Sequence, residues 1–288
     1  MLTFIPALCI MLLFIGNSSA VSAGATKGLM LWYKNILPLL LPFLLISNHI
    51  VGKSLEHHTI NRRTNIFITI LLGVFCGYPI GAKCTAAYVT ERAYGVSMGN
   101  AILPLCNNLS PMFLSGYITC FILENRLSFF SVIFLIYAPY VVLCGFRLLF
   151  IREKNISCNA VPENPKKPQS ESSQITVAIN QITVIGVYII ICSIIIEFIL
   201  RMSMAKQPQT LLCSIVEVTN GVNLIAANLP LEDIKNTALV LAVTSFGGLS
   251  SILQTKSVIA DSKLSLFQYI VSKALCGVAT YYLTILIL

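Results

Sequence analysis

The chain has 288 residues, 56% of them hydrophobic and 10% charged, with a mean hydropathy of +0.83. A soluble domain carries about 25% charged residues, so this composition excludes a soluble globular enzyme, and the high apolar content excludes a disordered chain. The net charge of +8 reads as loop charge that sets membrane topology; no basic stripe with interleaved aromatics marks a nucleic-acid partner.

Residues 1–26 carry no charge. They lack the basic n-region of a secretory signal, so a retained first span is expected, although Ser19-Ala20-Val21-Ser22-Ala23 imitates a cleavage site. The next charge-free stretch, Asn35–Gly52, holds Pro38 and Pro42 and predicts a kinked or broken helix. A polar loop follows with Lys53, His57, His58, Arg62 and Arg63. Further apolar stretches run over Thr64–Ala82, Ala93–Leu123 and Leu127–Phe146. Arg147–Glu171 is polar, contains Pro162, Pro165 and Pro168, and reads as an extended cytoplasmic linker. Beyond it lie Ile175–Ile196, Leu211–Leu229, Asn236–Thr255 and Leu264–Leu288. At about 20 residues per crossing, the prediction is an all-α polytopic membrane protein with about eight to nine membrane segments. Residues 1–150 form an N-terminal membrane half, 151–174 a linker, and 175–288 a C-terminal membrane half.

The positive-inside rule puts the basic loops 53–63 and 147–171 on the same side. Three apolar segments lie between them, and three full crossings would separate them. One segment should therefore enter and return, and the Gly- and Pro-interrupted stretches Thr64–Thr90 and Ala93–Leu123 are the candidates. Irregular backbone at membrane depth survives only where protein buries it or a cavity adjoins it.

The interruptions suggest two related halves. Phe75 and Gly77 match Phe246 and Gly248, and a long polar side chain, Lys83 or Gln254, stands six residues after each second glycine. Paired interrupted segments point to a transporter site. A half-helix start exposes N–H groups and the positive end of its dipole, which suits an anion. Gly77, Pro79, Gly81, Gly247 and Gly248 are expected to shape the breaks. Lys83, Asn107, Asn108, Ser110, Asn220, Ser250 and Gln254 are the polar candidates for solute contact. For Lys83 the residues leave a cavity cation or a snorkelling helix end open; for Asn107 and Asn108, a solute contact or an interhelical hydrogen bond. Glu217 is read as an ion-coupling carboxylate or as the partner of Lys83 or Lys273, and Glu197 with Arg201 as an interfacial pair.

The 10 cysteines are scattered without a CxxC pair and read as buried free thiols. Neither they nor the histidines keep metal-ligand spacing. No HExxH, GxSxG or P-loop occurs, so no enzyme and no cofactor are expected.

Several blocks carry a family resemblance. Gly28-Leu29-Met30-Leu31-Trp32 with Ile36-Leu37-Pro38-Leu39-Leu40-Leu41-Pro42-Phe43 resembles the N-terminal GLxLW…LPxLLPF block of YlbJ-type sporulation integral membrane proteins. Gly77-Tyr78-Pro79-Ile80-Gly81-Ala82-Lys83 is similar to their GxPxGAK motif, and Cys106-Asn107-Asn108-Leu109-Ser110-Pro111-Met112-Phe113 to CNNSGPLF. Glu217-Val218-Thr219-Asn220-Gly221 resembles EITxG, and Phe246-Gly247-Gly248-Leu249-Ser250 with Gln254 resembles GGLSxxxQ. The blocks occur in order along nearly the whole chain. Ile80 departs from a frequent Ser, and Leu109-Ser110 from the usual Ser-Gly. The resemblance implies a nucleoside-recognition (Gate) domain and movement of dipicolinate, a small aromatic dianion, across the outer forespore membrane of an endospore-forming bacterium. The rival readings are a nucleoside or nucleobase transporter and a non-transporting component of the forespore envelope.

Overall fold

A computed structural model describes residues 4–56, 62–151 and 171–288. Every regular element among them is helical, and the chain is a helical membrane protein. Four stretches are long and apolar enough to cross a bilayer: Phe129–Phe150, Ile175–Arg201, Ile234–Ile259 and Leu266–Ile287. A fifth is the pair Leu8–Gly16 and Ser18–Ile36, if its 95° bend lies within one span. These four or five spans are fewer than the eight to nine expected, because much of the remaining apolar sequence is cut into shorter helices. His57, His58 and residues 152–170 of the expected linker lie outside the described residues.

Helix α1 (Phe4–Gly16) turns sharply at Asn17 into α2 (Ser18–Leu31). A π-helical turn, Trp32–Ile36, then leads into α3 (Leu37–Glu56). The chain was expected to kink or break at Pro38 and Pro42, yet α3 runs through Pro42. The irregularity sits one turn earlier, where the Leu37 N–H reaches back five residues to the Trp32 carbonyl. A π turn there takes up the register that prolines without N–H groups cannot hold.

Helix α2 packs along α9 (Glu171–Arg201) through Ala20, Gly24 and Gly28, spaced four apart on one face. A Cβ on Gly24 would lie 2.7 Å from the Ile194 Cα, and one on Gly28 2.7 Å from the Ile190 Cα. This is the small-residue seam that lets helix backbones approach in lipid. At its end Lys27 Nζ lies 2.7 Å from Glu197 Oε2, and Arg201 Nε lies 3.3 Å from Glu197 Oε1. The expected Glu197–Arg201 pair is present and gains Lys27 as a third member. Helix α9 already begins at Glu171, inside the stretch read as linker.

Two pairs of short helices fold back on themselves. Helices α4 (Arg62–Cys76) and α5 (Ile80–Thr90) pack side by side, and Thr69 Oγ1 lies 3.1 Å from the hydroxyl of Tyr94, just past α5. Of the two candidates for a segment that enters and returns, Thr64–Thr90 is therefore the one that folds back. Helices α10 (Lys206–Val216) and α11 (Val218–Asn228) do the same around the single residue Glu217. A Cβ on Gly221 would sit 2.3 Å from the Ser214 Cα, and Asn228 Nδ2 donates to Thr210 Oγ1 at 3.1 Å where the two ends meet. Helix α6 (Val96–Cys106) is followed by α7 (Pro111–Phe113) with the π-helical run Leu114–Ile122, and α12 (Ile234–Phe246) by α13 (Gly248–Ile259). Neither pair folds back. The continuous helices α8 (Phe129–Phe150) and α14 (Leu266–Ile287) complete the fold.

Polarity is inverted relative to a water-soluble domain. Phe130, Leu149 and Leu286 point outward, each at least 80% exposed, while Lys273, Glu217, Asn107, Asn108 and Gln254 are buried. Lipid matches the first set. The second must find partners inside the bundle.

Candidate functional site

Four breaks in the helices meet inside the bundle. Glycine, proline or a side chain that caps the next helix marks each. Gly77 (φ +77°) and Pro79 turn α4 into α5. Asn107–Ser110 separates α6 from α7, with Pro111 opening the next turn. Glu217 is extended (φ −149°, ψ 126°) between α10 and α11. Gly247 (φ +84°) and Gly248 (φ +76°) part α12 from α13, a left-handed pair that costs glycine no steric penalty.

The first two breaks are stitched together. The Tyr78 N–H donates to the Asn108 carbonyl at 2.7 Å, and the Ala82 N–H to Asn107 Oδ1 at 3.1 Å. A Cβ on Gly77 would lie 2.7 Å from the Ser110 nitrogen, and one on Gly81 1.9 Å from the Cys106 carbonyl oxygen. Gly77 and Gly81 are thus contact points between two backbones. The last two breaks abut in the same manner, since a Cβ on Gly248 would lie 3.2 Å from the Val218 nitrogen and 3.3 Å from the Glu217 Cα. Each hairpin tip therefore touches the broken helix that follows it in the chain. The Phe-x-Gly match aligns unlike elements, because Gly77 stands at a hairpin tip and Gly248 in a helix that does not fold back.

A cavity of about 40 Å³ lies where the breaks converge, with Tyr78, Ser110, Glu217, Thr219, Ser250 and Gln254 as its polar walls. At about 10–15 Å³ per enclosed water, it holds one ion or about three to four waters in this conformation. Of the sequence-derived candidates, Ser110, Glu217, Ser250 and Gln254 come together here. Tyr78 and Thr219 join them without having been singled out; both flank a break, which is the signal that could have found them.

Both Glu217 carboxylate oxygens accept backbone N–H groups, Oε1 from Thr219 at 3.0 Å and Oε2 from Asn220 at 2.8 Å. The carboxylate thereby caps the positive end of α11 itself. Asn220 contributes its backbone to this cap. Ser110 Oγ caps α7 by accepting from the Phe113 N–H at 3.3 Å. Asn107 serves the first turn of α5. Three of the four half-helix starts are thus occupied by the chain's own oxygens. The start of α13, at Gly248, has no side-chain cap.

The remaining candidates lie off the cavity wall. Lys83 Nζ donates to Asn48 Oδ1 and, at 2.9 Å, to Gln181 Oε1, which ties α5 to α3 and α9. Asn107 Nδ2 donates to Thr255 Oγ1 at 2.8 Å and to the Tyr269 hydroxyl at 2.9 Å. Asn108 Nδ2 donates to the Pro104 and Leu105 carbonyls, and its Oδ1 accepts from Lys273 Nζ at 2.6 Å. Lys273 is fully buried and also lies 5.0 Å from the Tyr140 ring centroid. Glu217 forms no ion pair with Lys83 or Lys273 among the described residues: the first lysine is held by amides, the second by Asn108. No group of three His, Cys, Asp or Glu that could hold a metal occurs among the described residues.

Compared with protein-family models, curated proteins and solved structures, the chain matches none.

Proposed function

We propose that this chain is a membrane transporter of a small anionic solute, with its solute path at the meeting of the four breaks. The observation that carries the reading is the polar cavity, walled by two hairpin tips and two helix breaks, inside a bundle whose outer face is apolar. Irregular backbone of this kind is costly at membrane depth and marks transport sites. An 11-residue half-helix such as α10 or α11 rises about 16 Å, roughly half of a 30 Å hydrocarbon core, which brings such hairpin tips close to the midplane. The uncapped start of α13, beside Ser250 and Gln254, is the half-helix end free to face a carboxylate.

The segment order supports two related halves. A long helix, a hairpin, a broken helix and a continuous helix run as α3 to α8, then again as α9 to α14. Counting each hairpin, each broken helix and the bent pair α1–α2 as one segment gives nine from α1 to α14. With α4–α5 returning to its own side, only α6–α7 and α8 would cross between Lys53 at the end of α3 and Arg147 at the end of α8, which puts both basic ends on one side.

Dipicolinate is the solute the YlbJ-type resemblance puts first, with the outer forespore membrane as its place of action. A nucleoside is second, favoured by the amide and hydroxyl groups of Gln254, Ser250, Ser110 and Thr219. Uptake of labelled dipicolinate and uridine into proteoliposomes, against protein-free vesicles, tests the reading. Saturable dipicolinate uptake supports it, uridine uptake alone replaces the solute, and uptake of neither turns the reading toward an envelope component.

A further inference from the structure

We infer that the central cavity binds a monovalent cation between the Glu217 carboxylate and the Gln254 amide oxygen. Glu217 is 4% exposed, and among the described residues no lysine or arginine pairs with it. Burying an unpaired ion costs more than a helix start returns. A second, independent observation lies on the same wall. Gln254 is 4% exposed and its Nε2 donates to Ser250 Oγ at 3.1 Å, but its Oε1 has no hydrogen-bond partner. An unpaired buried acceptor is expensive, and its residue lines the same cavity as the carboxylate.

The chemistry of the wall selects the ligand. The other polar residues are the hydroxyl-bearing Tyr78, Ser110, Thr219 and Ser250, and no basic side chain lines the cavity. Oxygen donors suit a hard cation. One carboxylate balances one positive charge, while calcium takes 6–8 oxygens and commonly several carboxylates. A volume of about 40 Å³ fits a single, partly dehydrated alkali ion. A proton on Glu217 would need no such space.

The inference leans on the proposed transport reading only for what the ion is for, so binding is tested without solute. The apparent melting temperature of the purified full chain in detergent is measured at constant ionic strength and constant chloride. N-methylglucamine chloride is replaced stepwise by sodium, potassium or lithium chloride. The expected result is a saturable rise with at least one alkali ion. Gln254→Met, which keeps the volume and removes the oxygen, is expected to melt near wild type in glucamine and to need about tenfold more salt or more for the same rise. Glu217→Gln is expected to lose the response. No difference between any alkali ion and glucamine, or a wild-type response in Gln254→Met, overturns the inference and leaves water or a proton in the cavity. Proteoliposome uptake is scored separately: an intact ion response without solute uptake overturns the transport reading alone.

Discussion

Lys273 and Asn108 stand 165 residues apart and share a 2.6 Å hydrogen bond in the centre of the bundle. Asn108 also supplies the carbonyl that holds Tyr78 at the first hairpin tip. One buried lysine on α14 is thereby linked, through a single asparagine, to two of the four breaks. Asn108→Ala leaves its Nζ without this acceptor, a loss of about 1–3 kcal/mol for a buried polar group. Asn108→Leu combined with Lys273→Met removes both partners and is expected to melt higher than Asn108→Ala alone. Thermal unfolding of the three proteins in one detergent checks the order.

The α2–α9 seam gives a prediction with its own control. Gly24→Ala places a methyl 2.7 Å from the Ile194 Cα, a backbone atom that cannot swing away. Parting the helices is expected to cost about 1–3 kcal/mol. At Gly16 an added Cβ meets nothing within 4 Å, so Gly16→Ala is expected to be neutral or slightly stabilising. Melting temperatures of the two variants should separate by several degrees.

Gly248 unites two demands: a left-handed backbone (φ +76°) and a close approach to Glu217. Gly248→Ala violates both, and the left-handed conformation alone costs an alanine about 1–2 kcal/mol. Solute uptake is expected to fall further than stability, because the substitution pushes against the hairpin tip that carries the Glu217 carboxylate. Uptake rate and melting temperature measured on the same preparation test this.

The loop pair Arg126–Glu232 shows where electrostatics matters little. The nitrogen and oxygen lie 2.6 Å apart, yet both side chains are open to solvent. The backbone of Glu232 and the Arg126 guanidinium hold its carboxyl below the usual carboxylate range. A depressed carboxylate pKa contributes stability above the unfolded value and loses it as pH falls through the folded one, so the pair stays charged from neutral pH down to the carboxylate range. Exposure and salt screening keep its worth small. Arg126→Ala is expected to leave the melting temperature unchanged between pH 6 and 8, measured by the same thermal scan.

Three of the breaks were legible because glycine, proline and adjacent amides interrupt apolar runs locally, at Gly77, Asn107 and Gly247. What lies between breaks was harder to read. A window of about 20 residues treats α10 and α11 as one crossing, whereas Gly221 folds onto Ser214. The α2–α9 seam stayed hidden because Ala20, Gly24 and Gly28 carry little hydropathy signal, and their importance comes from the partner's backbone. Lys83 and Asn107 looked like solute contacts because a polar group in an apolar run needs a partner. Their partners, Gln181 and Thr255, lie about 100 and 150 residues away, beyond any local pattern. Lys273 was noticed only as a mate for Glu217, since one lysine in a long span has no neighbour in sequence that names its acceptor.

The most direct test is the initial rate of dipicolinate uptake by proteoliposomes holding wild type or Ser250→Val at matched protein levels. Ser250 lies on the cavity wall at the uncapped start of α13, and valine replaces its hydroxyl with a methyl-bearing branch. A wild-type rate above empty vesicles, reduced about tenfold or more in Ser250→Val at a temperature well below the melting point of both proteins, is the predicted result; the variant is expected to melt lower, because Gln254 Nε2 loses its Ser250 acceptor. Equal rates for the two proteins would place the path elsewhere, and a wild-type rate no greater than that of empty vesicles would contradict transport of this solute.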